Sequence, residues 1–225
     1  FKSLSSTQDK AKEFSKKGLS NVVIIADTQT QGRGRFKRKW HSSKNGLWMS
    51  ILLKPNNTEK LQYLTFIASI SVARAIKKTC GLKTNIKWPN DNHYKTKKLC
   101  GILTEGIFGK ENFVAVGIGL NVNQAEFPNE IKDIASSLKI IKKQAINTKK
   151  ITQKIINEFF GLYNNYYSKN KYGYILKMWK KHCDTINKNV AVITTTKKIM
   201  GKAIGVDKDC SLLLKLKNNR ITRVM

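Results

Sequence analysis

The hydrophobic pattern of the chain changes near residue 185. Before that point, short apolar runs such as residues 22–26 and 47–53 alternate with longer segments whose apolar residues recur every three or four positions. The short runs predict buried strands, and the three- and four-residue steps predict amphipathic helices. After that point, short strands separated by polar turns follow one another. The sequence therefore predicts an α+β domain over residues 1–184, with a mixed sheet covered by helices, and a small β-barrel over residues 185–225.

Helices are expected where an apolar stripe can face the sheet, and strands where an apolar run ends at turn residues. The run at residues 22–26 is predicted to be buried on both faces, because it contains no polar residue. Residues 94–98 predict a polar, basic hairpin, and residues 135–140 stay unassigned. The predicted helices are residues 7–17, 61–78, 148–168 and 174–181. The remaining predicted strands are residues 47–53, 86–88, 99–107, 112–120, 190–195, 199–206 and 211–216.

Basic residues dominate the composition, with 43 Lys and Arg against 14 Asp and Glu and a net charge of +29. Such a charge raises the question of nucleic-acid binding, but the lysines are spread through nearly every segment instead of clustering. A general lysine bias explains the charge better, so no specific nucleic-acid partner is predicted. No apolar run reaches the ~20 residues of a membrane helix, so no membrane partner is expected. The scattered cysteines, without a Cys-x-x-Cys pair, favour a reducing, cytoplasmic location.

The densest positive charge lies in residues 29–40, which read Gln-Thr-Gln-Gly-Arg-Gly-Arg-Phe-Lys-Arg-Lys-Trp. Gly32 and Gly34 can let backbone N–H groups approach an anion closely. The interleaved arginines offer permanently charged forks that match carboxylate and phosphate oxygens. The stretch is therefore predicted to bind a negatively charged group, and a solvated basic turn is the alternative.

Further motifs occur at strand ends and in loops, and their order along the chain is informative. Together with Gly-Arg-Gly-Arg-x-x-Arg-x-Trp at residues 32–40, this ordered set resembles the biotin protein ligase family, in its form without an N-terminal DNA-binding domain. The resemblance covers most of the chain and implies the class II synthetase-like biotin/lipoate ligase fold, followed by an SH3-like barrel. The other motifs are Ser-Ser-Thr-Gln at residues 5–8, Lys-Trp-Pro-Asn-Asp at 87–91, Lys-Leu-Cys-Gly-Ile-Leu at 98–103 and Gly-Ile-Gly-Leu-Asn-Val at 117–122.

The resemblance implies a two-step reaction that uses ATP, Mg²⁺ and biotin as substrate. The biotin carboxylate attacks the α-phosphate of ATP and gives biotinyl-5′-AMP, which then acylates one lysine of a biotin carboxyl carrier protein domain. The carrier is expected to belong to acetyl-CoA carboxylase or another biotin-dependent carboxylase. A carboxylate that approaches a triphosphate meets like-charge repulsion, so such a site needs fixed positive charge. No metal ligand is assigned, and a monomer and a homodimer stay open.

The resemblance also implies roles for single residues by their motif positions. Lys98 and Arg33 are implied to be catalytic, and Asp91 is implied to orient the site or the incoming lysine. A solvated hairpin lysine and an ordinary turn aspartate are the alternatives for Lys98 and Asp91. The implied biotin-binding residues are Ser6, Thr7, Gln8, Gln29, Gly32, Arg33, Gly34, Arg35, Lys98 and Gly101. The implied ATP-binding residues are Arg33, Arg35, Arg38, Trp40, Lys98 and Asn121.

The chain departs from the family pattern at Gln8, where asparagine is usual, and near Cys210, where a glycine is expected. It also ends at Met225, before an expected final strand. Trp88 is expected to be a core residue, and the loop of residues 32–40 is expected to be poorly ordered without ligand. A lipoate ligase or octanoyl transferase is the alternative among enzymes, and a nucleic-acid-binding protein is the alternative of another class.

Overall fold

The computed structural model describes residues 1–194 and 197–225 of the chain. Its secondary structure consists of twelve strands and five α-helices, with a 3₁₀ turn at Arg35–Lys37 and a π-helical turn at Tyr163–Tyr167 among the described residues. The strands are β1 (Ser3–Leu4), β2 (Val22–Ala26), β3 (Thr28–Gln29), β4 (Leu47–Leu53), β5 (Asn85–Lys87), β6 (Asp91–Tyr94), β7 (Lys97–Ile107), β8 (Phe113–Leu120), β9 (Asn189–Ile193), β10 (Lys198–Val206), β11 (Leu212–Lys215) and β12 (Ile221–Val224). The helices are α1 (Thr7–Lys16), α2 (Gln62–Cys80), α3 (Leu138–Lys142), α4 (Thr148–Leu162) and α5 (Tyr172–Lys180).

The main sheet has six strands in the order β2-β4-β8-β7-β6-β5. Every described pairing within it is antiparallel. The α+β class is confirmed, but the main sheet is not mixed as predicted, because β5–β6, β6–β7 and β7–β8 are joined by short turns that only antiparallel strands can use. Among the described strands, β1 and β3 pair in parallel in a small separate sheet, and isolated parallel bridges join Ile86 to Cys183 and Lys98 to Ala135.

Strand β4 lies inside the sheet, and all seven of its residues are buried, as predicted for residues 47–53. Its alternate side chains serve different layers. Met49 and Ile51 pack in the large core together with α2, whereas Leu52 packs with Ala11 of α1 on the opposite face. The prediction that β2 is buried on both faces is wrong, because β2 forms the edge of the sheet and Ile25 is exposed.

The helical layer over the large core consists of α2, α4 and α5. Phe66 of α2 stacks on Trp179 of α5 with ring centroids 4.1 Å apart. Glu158 of α4 bridges to Arg74 and Lys78 of α2. The helix predicted over residues 148–168 is divided, because α4 ends at Leu162 and a π-helical turn follows. None of the helices in the described part of the chain is long and apolar enough to cross a membrane.

Several boundaries differ from the sequence predictions. Asp91 begins strand β6 instead of lying in a turn, and the predicted basic hairpin is the turn between β6 and β7. The unassigned residues 135–140 run into helix α3. The strand predicted over residues 190–195 ends at Ile193, and Thr195 lies outside the described residues.

The C-terminal strands form an antiparallel sheet in the order β12-β11-β10-β9, which is compatible with the predicted SH3-like module. Strand β12 was not among the predicted strands. The buried Trp88 joins this sheet to the main domain, since its backbone N–H donates to Thr185 Oγ1 and its indole N–H donates to the Cys210 carbonyl, both at 2.9 Å. Cys210 has a φ of 66°, the left-handed conformation that glycine adopts most easily. The glycine expected near this position therefore has a structural reason.

Candidate active site

A cleft of about 500 Å³ lies over β7 and β8 and is bordered by the Gly-Arg loop (residues 32–40) and by β9. It brings together nearly every residue predicted for the site. Gly32 is the exception, since it does not line the cleft. A Cβ there would meet Ser42 Oγ at 2.4 Å and the Trp40 carbonyl at 2.6 Å. Gly32 thus serves the packing of the loop. The predicted residues at the cleft wall are Ser6, Thr7, Gln8, Gln29, Gly34, Arg33, Arg35, Arg38, Trp40, Asp91, Lys98, Gly101 and Asn121.

One end of the cleft is built by the start of α1. Ser6 caps the helix by accepting a hydrogen bond from the Gln8 backbone N–H at 3.2 Å. The Gln29 side chain accepts hydrogen bonds from the Thr7 backbone N–H at 2.8 Å and from Thr7 Oγ1 at 3.1 Å. Ser50 of β4 in turn donates to Thr7 Oγ1 at 2.8 Å. These contacts fix a polar end to the cleft before any ligand arrives.

Gln8 has a fixed amide orientation. Its Nε2 donates to Glu105 Oε2 at 2.9 Å and to the Leu103 carbonyl at 3.2 Å. Its Oε1 is buried and finds no hydrogen-bond donor among the described residues. A Cβ at Gly117 would lie 3.3 Å from that oxygen, so the glycine leaves room for the Gln8 side chain.

Arg33 is already paired within the protein. Its Nη1 and Nη2 contact the two carboxylate oxygens of Asp9 at 3.1 and 2.9 Å, and Nη2 also lies 3.3 Å from Glu105 Oε2. The hydrogen bond to Asp9 raises the pKa of Arg33, although partial burial opposes this. The guanidinium therefore attaches the beginning of the Gly-Arg loop to α1 and β7.

Arg35 differs from Arg33 in that its charge is not paired with a carboxylate of the described residues. Among the described residues its guanidinium has no ion-pair or hydrogen-bond partner, and it lies 5.2 Å from the centre of the Phe36 ring. Burial lowers the pKa of Arg35, Asp91 partly opposes this, and the nearby Arg38 lowers the pKa further. An anion in the cleft would relieve the cost of holding this charge away from water. Arg38 is exposed at the rim of the loop.

Lys98 and Asp91 form an ion pair on neighbouring strands, with the Lys98 ammonium 2.8 Å from Asp91 Oδ1. Burial alone would raise the pKa of Asp91, but His93 and Lys98 outweigh it and lower the pKa. The Lys98 ammonium also lies 5.1 Å from the centre of the Trp40 ring. Asp91 and Trp40 thus hold the ammonium at the cleft wall.

Trp40 lies across the surface of β7 and β8. A Cβ at Gly119 would come within 2.5 Å of Trp40 Nε1, and one at Gly101 within 3.2 Å of Trp40 Cζ3. The indole of Trp40 therefore lies directly against the backbone near the end of β8. Asn121 follows β8, is buried, and donates to the Ser136 carbonyl at 3.1 Å.

Sequence reasoning missed two acidic residues, Asp9 and Glu105, that hold Arg33 and Gln8. Glu105 carried a signal, because it is the single acid in the apolar run of residues 99–107. Asp9 carried none beyond its favourable place in the first turn of a helix.

Comparison with protein-family models decides the relationship of the chain. Residues 1–123 match the biotin/lipoate A/B protein ligase family, and residues 185–224 match the biotin protein ligase C terminal domain. The chain belongs to the biotin/lipoate A/B protein ligase family. The predicted resemblance is thereby confirmed.

Individual relatives agree with this membership. The chain is 38% identical over 220 residues to the bifunctional ligase/repressor BirA of Bacillus subtilis, and this match covers 94% of this chain and 67% of that protein. It is 31% identical over 146 residues to the biotin--[acetyl-CoA-carboxylase] ligase of Mycobacterium tuberculosis, covering 62% of this chain and 53% of that protein. The structure of biotin protein ligase from Aquifex aeolicus in complex with biotin and ATP superposes with a TM-score of 0.84 at 31% identity, covering 100% of this chain and 93% of that chain.

Proposed function

We propose that the chain is a biotin protein ligase that forms biotinyl-5′-AMP and transfers biotin to a lysine of a biotin carboxyl carrier protein domain. The observation that carries the proposal is the placement of positive charge and fixed polar groups in one cleft. Arg35 and Lys98 face a cleft whose other end presents the fixed polar groups of Thr7 and Gln8. This arrangement suits a ligand with a hydrogen-bonding head and an anionic tail.

In the first step, a biotin carboxylate oxygen bonds to the α-phosphorus of ATP, while the bond to the bridging oxygen breaks and pyrophosphate leaves. Negative charge accumulates around the α-phosphate, where Arg35 and Lys98 are assigned. Each preorganised donor of this kind is typically worth ~3–4 kcal/mol in the transition state. Arg33 was expected to contact the intermediate, but its partners Asp9 and Glu105 support a role in positioning the loop.

In the second step, the neutral amine of the acceptor lysine attacks the acyl carbon, the bond from that carbon to the phosphate oxygen breaks, AMP leaves, and the amine's proton passes to solvent water. Asp91 is assigned to hold Lys98 near the anhydride, since the two form an ion pair. The mixed anhydride reacts with water, so closure of the Gly-Arg loop over it would protect the intermediate. Gln29 and Ser6 are assigned to the biotin end, and Arg38, Trp40 and Asn121 to the nucleotide end.

Mg²⁺ is assigned to the nucleotide substrate. The described wall of the cleft contributes one carboxylate, Asp91, which is already paired with Lys98. The described residues also contain no group of three or more His, Cys, Asp or Glu able to hold a metal. These donors do not fit a protein-held Mg²⁺ site, whereas Mg²⁺ commonly binds through substrate phosphates.

The remaining assignments follow from the family. We assign catalysis to residues 1–184 and a supporting role to residues 185–225. The acceptor protein is assigned to acetyl-CoA carboxylase or a related carboxylase, and the ligase itself to the cytoplasm. The relatives in Mycobacterium tuberculosis and Paracoccus denitrificans are both named biotin--[acetyl-CoA-carboxylase] ligase. A homodimer is a further proposal that sedimentation of the purified protein would test.

The test is exchange of labelled pyrophosphate into ATP, with biotin and lipoate offered separately. Biotin is expected to support exchange and lipoate is not, because the second domain matches biotin ligases. Exchange with lipoate alone would favour the lipoate ligase. Tight, sequence-selective nucleic-acid binding at physiological salt, with no exchange, would favour the nucleic-acid-binding alternative.

A further inference from the structure

Glu105 connects two parts of the cleft that are far apart in the sequence. Its Oε2 accepts hydrogen bonds from Gln8 Nε2 at 2.9 Å and from Arg33 Nη2 at 3.3 Å. Lys12 Nζ lies 3.8 Å from the other oxygen, Oε1. One carboxylate on β7 therefore contacts both the polar end of the cleft and the first arginine of the Gly-Arg loop.

The contacts fix the orientation of the Gln8 amide. Every described partner of Gln8 Nε2 is an acceptor: Glu105, the Leu103 carbonyl, and the Ala115 carbonyl at 3.4 Å. Turning the amide over would bring its oxygen against these acceptors, which is unfavourable. The buried Gln8 Oε1 is thereby left as an acceptor that still lacks a donor. A ligand N–H can supply that donor.

We infer that Glu105 is a positioning residue that orients Gln8 for biotin and, through Arg33, holds the Gly-Arg loop at the same place. The inference rests on the proposed function and extends it to a residue outside the family motifs quoted above. Asp9 offers a matched comparison, because it binds the same Arg33 guanidinium but does not contact the Gln8 side chain.

The experiment measures biotin affinity by calorimetry without ATP, for wild type, Glu105→Ala and Asp9→Ala. Loss of a charge-assisted hydrogen bond on Gln8 is expected to weaken biotin binding about tenfold in Glu105→Ala. Asp9→Ala is expected to change it less than about twofold, since the Gln8 contacts remain. Protease cleavage of residues 32–40 should become faster in both variants, because each removes one carboxylate from Arg33.

A second measurement separates positioning from general damage. In a Gln8→Ala background, Glu105→Ala should add less than about twofold to the loss of biotin affinity, because it acts through Gln8. Glu111→Ala is the surface control, since Glu111 lies in the β7–β8 hairpin and pairs only with Lys54 among the described residues. If Glu105→Ala does not fold, Glu105→Gln replaces it. Because the neutral amide keeps a weaker hydrogen bond to Gln8, biotin affinity is then expected to fall about threefold relative to wild type.

The outcomes are separable. Wild-type biotin affinity in Glu105→Ala, or an equal loss in Asp9→Ala, overturns the inference and leaves the proposed function standing. Additive losses in the Gln8→Ala background also overturn it. A wild-type protein that does not bind biotin overturns the proposed function and this inference together.

Discussion

Replacing Gly119 with alanine tests whether the indole of Trp40 is held against the sheet for catalysis. The added Cβ would lie 2.5 Å from Trp40 Nε1 and 2.8 Å from Trp40 Cε2. Non-bonded carbon contacts settle near ~3.5–4.0 Å, so the ring has to move by about 1 Å. Trp40 is only partly buried, so it can move outward while the strands stay in place.

The displacement should affect rate more than stability. The ring lies 5.1 Å from the Lys98 ammonium, so a shifted ring takes away one support of that cation. A misplacement of ~1 Å near reacting groups can cost ~100-fold in rate. We therefore expect a ~10–100-fold fall in kcat/KM for ATP, with an overpacking cost to the free energy of unfolding of ~1–3 kcal/mol.

Pyrophosphate exchange at saturating biotin measures the rate, and urea unfolding measures the stability. Gly101→Ala should have a smaller effect, because its Cβ would lie 3.2 Å from Trp40 Cζ3. Gly109→Ala is the control, since nothing lies within 4 Å of its Cβ position. Wild-type exchange by a folded Gly119→Ala protein would refute the reasoning.

Three other predictions concern charge and order. Lys98→Ala should slow adenylate formation ~100–1,000-fold, measured by single-turnover kinetics, and an unchanged rate would remove Lys98 from the mechanism. Burial would raise the pKa of Glu158, but Lys78 and Arg74 outweigh burial and lower the pKa below its ordinary value of 4.5. The ionised carboxylate therefore stabilises the fold fully at pH values above 4.5, and this stabilisation is lost as the pH falls through the folded-state pKa. Glu158→Gln should thus unfold more easily than wild type at neutral pH, with the difference vanishing in acid, and a difference independent of pH would contradict this. Residues 32–40 should be cleaved by protease more slowly with biotin and ATP than without them, and equal cleavage would count against loop closure.

The local pattern of apolar residues predicted where several strands and helices lie, because that pattern is set by the residues of each element itself. Residues 47–53 were expected as a strand and form β4 with the same bounds. The apolar run at residues 22–26 also gave β2, but its place at the sheet edge depends on which strand pairs with it. An apolar run alone cannot distinguish an edge strand from a central one. The antiparallel direction of the main sheet likewise depends on which strands pair with each other, and the periodicity of apolar residues does not encode this.

The residues of the site could be named from the sequence, whereas their individual contacts could not. Arg33 and Arg35 stand two positions apart and look equivalent in the sequence. They differ because Asp9 and Glu105 converge on Arg33 from α1 and β7, while Arg35 has no such partner among the described residues. Such convergence depends on tertiary packing, which spacing along the chain does not encode.

The central claim is that Arg35 and Lys98 stabilise the formation of biotinyl-5′-AMP in this cleft. Mass spectrometry of the purified protein, mixed with biotin and MgATP without acceptor, tests it most directly. Wild type should accumulate protein-bound biotinyl-5′-AMP, and Arg35→Ala should form it ~100-fold more slowly. Absence of the adenylate from wild type, or its formation at the wild-type rate by both Arg35→Ala and Lys98→Ala, would contradict the claim.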